Sequence, residues 1–311
     1  MVCPGYWTAR HSSKLDDVER IFNLAERLVR RLPPPWERAR RGRRPKFSAR
    51  HHAAICITAR CLDLTYREVE GSAPAFMDET IDHSTVGWAF KRLRMNYLEL
   101  LILLLHRELQ RIVRCELYMV DSTGISTPHL RRRRRAFKTV MRRETMKLHA
   151  LIGYAPEKSA LMVCAASVTG ESVHDSTQFK RLLSSLMGEG EPLLADSAYD
   201  AESNMEFARR RGFMPVIKLR SYEPYGFIRR EAAVEFERSH ELYRRRGIAE
   251  AFFAGLANRY GSRTRCKLLS TEIASIMLMA VAHNLRTYAR IRAQNSKEIN
   301  YCLDLFDKPS P

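Results

Sequence analysis

Apolar and polar positions along this chain follow a helical period in its first third and a strand period after it. From Leu15 to Leu32, LDDVERIFNLAERLVRRL places apolar residues every three or four positions, which predicts an amphipathic helix closed by Pro33, Pro34 and Pro35. A basic arm follows, WERARRGRRPKFSARHH, and then a second helix in SARHHAAICITARCLDL. After a short TYREVEG segment and a loop around Gly71 and Pro74, a third helix is expected in DHSTVGWAFKRLRM. Asp82 or Ser84 is placed to cap it, and Lys91, Arg92 and Arg94 make its far end basic. NYLELLILLLHRELQRIV predicts a long apolar helix.

Beyond residue 115 the period shortens to β-type runs, ELYMVDSTGIS, MKLHALIGYAP and SALMVCAASVTG, which predict three strands in an antiparallel meander. A helical stretch DSTQFKRLLSSLM, a strand in EPLLADSAYD, a helix SNMEFARRRG and a strand FMPVIKLR come next. Helices around IAEAFFAGLANRY and TEIASIMLMAVAHNLRTYARI finish the pattern. The order βββαβαβ is a ribonuclease H-like layout. The expected fold is α/β, a ribonuclease H-like mixed sheet flanked by helices and preceded by a smaller all-helical N-terminal domain. The expected divisions are an N-terminal helix and basic linker (1–45), a helical domain resembling a helix-turn-helix (46–112), a ribonuclease H-like domain (113–294) and a C-terminal tail (295–311).

Composition narrows the partner. Lys and Arg outnumber Asp and Glu by 53 to 35, a formal net charge of +18, so the field of the molecule favours a polyanion. Charge alone leaves DNA, RNA and an anionic membrane surface open. The apolar runs near Leu98 to Leu105 and Ile273 to His283 fall short of the roughly 20 residues that cross a bilayer. The start, MVCPGYWTARHSSKLDD, lacks the order of a secretory signal, so a cytoplasmic protein is expected. Seven scattered cysteines with no CxxC pair point to a reducing compartment. His51, His52, Cys56 and Cys61 match no standard zinc spacing and are read as helix residues.

Two acids end buried strands: Asp121 directly after LYMV and Asp196 directly after PLLA. If the first and fourth strands are neighbours, the two side chains converge, and Glu250 on a following helix is placed to join them. An Asp at a strand end often only caps a turn, and each acid alone carries that simpler reading. Three converging carboxylates, however, repel one another unless a cation intervenes, and an all-oxygen donor set suits Mg²⁺ or Mn²⁺ rather than zinc. With two such ions, phosphodiester hydrolysis and strand transfer share one site.

The stretches YMVDSTGI, LLADSAYD and YRRRGIAE, in that order, resemble the signature segments of the DDE transposases of insertion sequences. In that family the last segment runs Tyr, two residues, Arg, three residues, Glu, six residues, Lys; Tyr243, Arg246 and Glu250 match, and Ala257 stands at the lysine position. Arg259 or Lys267 is a candidate substitute. The N-terminal stretch from Arg41 to Gly71, followed by IDHSTVGWAFKRL, is also similar to the helical domain of these transposases, so the resemblance covers about residues 40 to 292. It implies that Asp121, Asp196 and Glu250 bind two Mg²⁺ or Mn²⁺ ions and carry the catalysis. It further implies that Tyr243 and Arg246 contact DNA phosphate, and that the enzyme excises and integrates an element bounded by inverted repeats. The implied partners are double-stranded DNA, as terminal repeats and target, and further copies of the chain, a dimer on DNA, in the nucleoid. Two alternatives stay open: a catalytically inactive DNA-binding repressor derived from a transposase, and a metal-dependent nuclease without strand transfer.

Other residues divide between functional and structural readings. Arg131, Arg132, Arg133, Arg134 and Arg135, with Lys138, Arg142 and Arg143, are expected in a loop between the first two strands, next to Asp121, where phosphate binding is the favoured reading. Lys91, Arg92 and Arg259 are further candidate DNA contacts. Asp175 and Asp200 are expected to cap helices, and His149 to be a packed core residue.

Overall fold

A computed structural model describes the backbone of residues 6–37, 45–135, 138–220 and 226–306, and the side chains of these except 6–17, 131–142 and 295–306. The first third is helical: α1 (Tyr6–Arg30), α2 (Ala49–Cys61), α3 (Tyr66–Ser72), α4 (Pro74–Met77), α5 (His83–Arg92) and α6 (Met95–Gln110). Side-chain caps start three of them. Ser48 accepts from the His51 N–H at α2, Asp82 from the Ser84 N–H at α5, and Thr65 with Glu68 closes a capping box at α3. The loop expected around Gly71 and Pro74 instead carries α4, with Pro74 in its first turn, where a missing N–H costs no hydrogen bond. His52, Cys56 and Cys61 are buried residues of α2.

Five strands follow: β1 (Leu117–Arg135), β2 (Lys138–Ala155), β3 (Ala160–Gly170), β4 (Pro192–Ala195) and β5 (Met214–Ile217). Their order in the sheet is β3-β2-β1-β4-β5. Short connections make β1, β2 and β3 an antiparallel meander, whereas β4 and β5 are reached through helical crossovers and run parallel to β1. This is the ribonuclease H-like arrangement. The crossovers contain α7 (Phe179–Leu183) and α8 (Glu202–Arg210), and after β5 come α9 (Phe227–Arg238), α10 (His240–Arg244), α11 (Gly247–Tyr260) and α12 (Leu269–Phe306). Sequence periodicity did not single out α9. The backbone of α12 stays helical through Phe306, past position 295 where the tail was expected.

The arginine run is not in a loop. Arg131 pairs with Arg142 and Arg135 with Lys138, so β1 and β2 form one long hairpin. The register shifts between Ser126 and Leu130, a stretch that holds Pro128, which cannot donate to a ladder. At about 3.3 Å per residue, Arg131 lies roughly 30 Å along the strand from Asp121 rather than beside it. The antiparallel register, carried past the proline by TVMRRETMKL, overrides the loop that the charge run suggested.

LYMV is an unbroken apolar run because β1 is covered on both faces. Leu117 and Met119 join one buried cluster, and Tyr118 and Val120 the other. The first cluster continues through α12 and α6 into α2 and α5, so the N-terminal helices and one face of the sheet share a core. α7, α8 and α9 supply the second cluster through Phe179, Leu182, Met205, Ala208 and Ala232.

Candidate active site

Val120 and Ala195 are paired neighbours on the parallel strands β1 and β4, and the next residue on each is an aspartate. The sheet therefore sets Asp121 and Asp196 side by side, Asp196 directly after the carboxyl end of β4 and Asp121 within β1, which runs on to Arg135 instead of ending at the acid as expected. Each is partly fixed by backbone: Asp121 Oδ1 accepts from the Ser122 N–H at 2.9 Å, and Asp196 Oδ1 from the Ala198 N–H at 2.9 Å, at the start of a short 3-10 turn. Burial pushes the Asp121 carboxyl above its usual range. The Ser122 N–H and Arg246 oppose that rise, while the negative charges of Asp196 and Glu250 add to it. The charges of Asp196 and Glu250 thus both reach the Asp121 carboxyl.

The α10–α11 turn supplies the third acid. Tyr243 lies in α10, its ring edge-on to Phe236 with centroids 4.9 Å apart, and its carbonyl accepts from the Arg246 N–H at 2.9 Å. Arg246 precedes α11 and donates to Asp121 Oδ2 at 3.3 Å and to Glu250 Oε1 at 2.8 Å. Glu250 is in the first turn of α11, with 65% of its side chain exposed, against 15% for Asp121. Partial burial raises the Tyr243 hydroxyl pKa; Arg246 opposes the rise, and Asp196 and Asp121 add to it, which sets Tyr243 at the same centre.

Other expected contacts lie elsewhere. At about 100° per residue, Ala257 falls on the Glu250 face of α11, whereas Arg259 falls on the opposite face, roughly 13 Å along the axis. Lys91 and Arg92 are exposed on α5, and Arg92 sits over the Trp88 ring at 4.3 Å from its centroid. Arg143 is exposed, opposite Leu130 in the hairpin. The side chains of Arg131 to Arg135, Lys138 and Arg142 fall outside the described residues.

Two expected helix caps are corrected. His174, not Asp175, caps the 3-10 turn Asp175–Gln178, its Nδ1 accepting from the Ser176 N–H at 3.3 Å. Asp175 instead turns toward the sheet, where it accepts from Ser122 Oγ at 3.1 Å and from Lys147 Nζ at 2.8 Å. Asp200 caps nothing either: with 1% of its side chain exposed, it accepts from the Arg220 N–H at 2.8 Å and from Arg229 Nη2 at 2.6 Å. A carboxylate this buried requires a cation more than a turn requires a cap. His149 is buried on β2 and bonds Thr169 Oγ1 at 2.7 Å, the packed residue expected, and stands 3.7 Å from Asp175.

Lys147, Tyr199 and Arg220 were missed. Lys147 precedes His149 by two on β2, so strand alternation puts both on one face, the only signal the sequence held. Tyr199 is buried, and the charges of Asp175, Asp121 and Asp196 reinforce the effect of burial in raising its hydroxyl pKa. Arg220 donates to the carbonyls of Ser197 and Ala198, the turn that follows Asp196.

The donors suit a hard divalent cation: three carboxylates, no thiol or imidazole among them, with a guanidinium already bridging two. Asp121 is held within β1, Asp196 directly follows β4, and Glu250 is exposed. Among the described residues, the three donors whose ligand atoms all lie within 4.8 Å of one another are instead Glu70 of α3 with Asp82 and His83 at the start of α5.

The fold is a ribonuclease H-like sheet with an aspartate within its first strand, another directly after its fourth, and a glutamate on a later helix. The transposase DDE domain family matches residues 116–285, more than half of the chain, and the chain belongs to that family. No curated protein matches it. A similar solved structure is the cryo-EM structure of a piggyBac transposase synaptic complex with hairpin DNA, at TM-score 0.44 and 8% identity over 89% of this chain and 74% of that one.

Proposed function

We propose that this protein is a DNA transposase that cuts phosphodiester bonds at the ends of an element and joins the freed 3′ ends to target DNA. The adjacency of Asp121 and Asp196 on parallel strands, under the Arg246–Glu250 pair, supports this best. Asp121, Asp196 and Glu250 would hold two Mg²⁺ or Mn²⁺ ions, which when bound activate the attacking oxygen and stabilise the leaving one. The chain's own residues do the rest. Asp121 and Asp196 stay aligned by their backbone N–H bonds, and Arg246 and Tyr243 orient the scissile phosphate, Arg246 through a planar fork that holds two of its oxygens. The attacking water or 3′-hydroxyl oxygen bonds to phosphorus, the P–O3′ bond or its equivalent breaks, and the departing oxygen takes up a proton.

Double-stranded DNA is the partner in this reading, both as terminal repeat and as target, held by a dimer because two ends must be brought together. It places the protein on the nucleoid. Among the described residues, no helix is long and apolar enough to cross a membrane.

Calorimetric titration of Mn²⁺ into the wild type and Asp196→Ala, with cleavage of DNA carrying the flanking inverted repeats, tests the reading. The wild type is expected to bind the ion and cut, and the folded variant to do neither. Wild-type DNA binding without metal uptake or cutting would replace it with a DNA-binding repressor. Hydrolysed ends without joined products would replace it with a nuclease.

A further inference from the structure

A cleft of about 780 Å³ separates the N-terminal helices from the ribonuclease H-like core, away from the carboxylates. One wall is α3 and α5. The other is the segment between α11 and α12, which begins at Gly261 with φ +80°, a left-handed backbone that lets the chain leave the helix and turn back. That segment is pinned to β1: the Ser126 N–H donates to the Ser262 carbonyl at 3.0 Å, and the Thr264 N–H to the Ser126 carbonyl at 2.9 Å. β1 is the strand that carries Asp121, five residues before Ser126, so this wall stands roughly 17 Å along the strand from the acid. That distance equals about five nucleotide steps of a duplex strand.

Two properties of the lining select its occupant. Lys91 on one wall and Arg263, Arg265 and Lys267 on the other are exposed, and among the described residues none of the four forms an ion pair. The acid in the lining, Asp63, is already held by Arg60 at 2.5 Å. Beneath this cationic rim the lining is aromatic. Tyr66, Phe90 and Tyr260 form part of it, and Trp88 is 37% exposed. A duplex offers phosphates to the rim but keeps its bases stacked inside. An unpaired strand offers both phosphates and flat apolar faces.

We propose that this cleft binds a short unpaired stretch of DNA, its phosphates on Lys91, Arg263, Arg265 and Lys267 and a base against Trp88. The proposal rests on the transposase reading for its substrate and adds a second DNA site in which both halves of the chain take part. It assigns Lys267 to holding displaced strand rather than to replacing the lysine missing at position 257.

Fluorescence anisotropy of the full chain with a labelled thymidine oligonucleotide of about ten residues, a length one such groove spans, tests this against a blunt duplex and an abasic oligonucleotide of equal length. Trp88→Ala is expected to weaken the thymidine oligonucleotide about tenfold, leaving the duplex and the abasic strand within about twofold. Because Trp88 also packs against Trp36, at 5.6 Å between centroids, and carries Arg92 over its ring at 4.3 Å, Lys267→Glu provides a second variant on the opposite wall. It should weaken both oligonucleotides and lower their salt dependence by about one ion. The cleft proposal alone is overturned if duplex binds but both variants hold the thymidine strand as the wild type does, or if abasic and thymidine strands bind the wild type equally. If neither duplex nor oligonucleotide binds the wild type, the transposase reading falls, and this proposal with it.

Discussion

Arg246 occupies a position between two acids that would otherwise repel. Its contact with Glu250 is open to solvent and worth under about 1 kcal/mol, so Arg246→Ala should fold with a melting temperature within a few degrees of the wild type. Cleavage of repeat-end DNA by the same variant should fall on the order of 100-fold, as when a single charge-stabilising donor is removed. A folded variant that cuts normally would remove Arg246 from the site. A different residue sets a pH response. Burial lowers the His283 pKa from 6.5 to about 4, aided by the charges of Arg259 and Arg290, while Nε2 bonds the Leu161 carbonyl at 2.9 Å. Between those values the folded protein keeps this imidazole neutral and the unfolded chain protonates it, so stability is lost as pH falls from 6.5 toward 4. His283→Gln should reduce that loss by about 3 kcal/mol, seen as a flatter dependence of the urea midpoint on pH. Equal slopes for both proteins would show that His283 is not the group titrating.

At the level of elements, β3 is an edge strand whose exposed backbone is covered by a side chain. Asn284 of α12 is fully buried; its Oδ1 accepts from the Val163 N–H at 2.8 Å, and its Nδ2 donates to the Val163 carbonyl at 2.7 Å. The amide takes the place of a sixth strand. Asn284→Ala should cost about 3 kcal/mol in denaturant unfolding, since two buried backbone groups lose their partners. An unchanged midpoint would mean that water replaces the amide. The elements that sequence disclosed best were those whose surroundings are simplest. LYMV and PLLA are buried on both faces and so read as uninterrupted apolar runs, which put Asp196 correctly after its strand but ended β1 too early at Asp121. The extension of the hairpin through Arg131 and Arg142 is set by pairing with another strand, and no local pattern carries that. Asp175 was misread for the same reason. Its partners Ser122 and Lys147 are 53 and 28 positions away, whereas the cap it resembled would have been local.

For the molecule as a whole, a net charge of +18 means that the DNA binding proposed above should depend steeply on ionic strength. If six or more phosphates are neutralised, affinity should drop at least about 10³-fold between roughly 50 and 200 mM salt, measurable as the slope of log K against log salt. A shallow slope would mean that few of these cations touch DNA. The order in which the chain is made matters as well. α12 packs on α1, α2, α5, α6 and β3, all of which precede it in the sequence. On the ribosome, the basic helices and the carboxylate-bearing strands therefore emerge with their apolar faces uncovered and wait for the segment that seals them. The sealed core then appears at one moment, near the end of translation. A copy of the gene interrupted anywhere before Leu269 would yield a sticky, basic fragment for proteases to clear, rather than a working half.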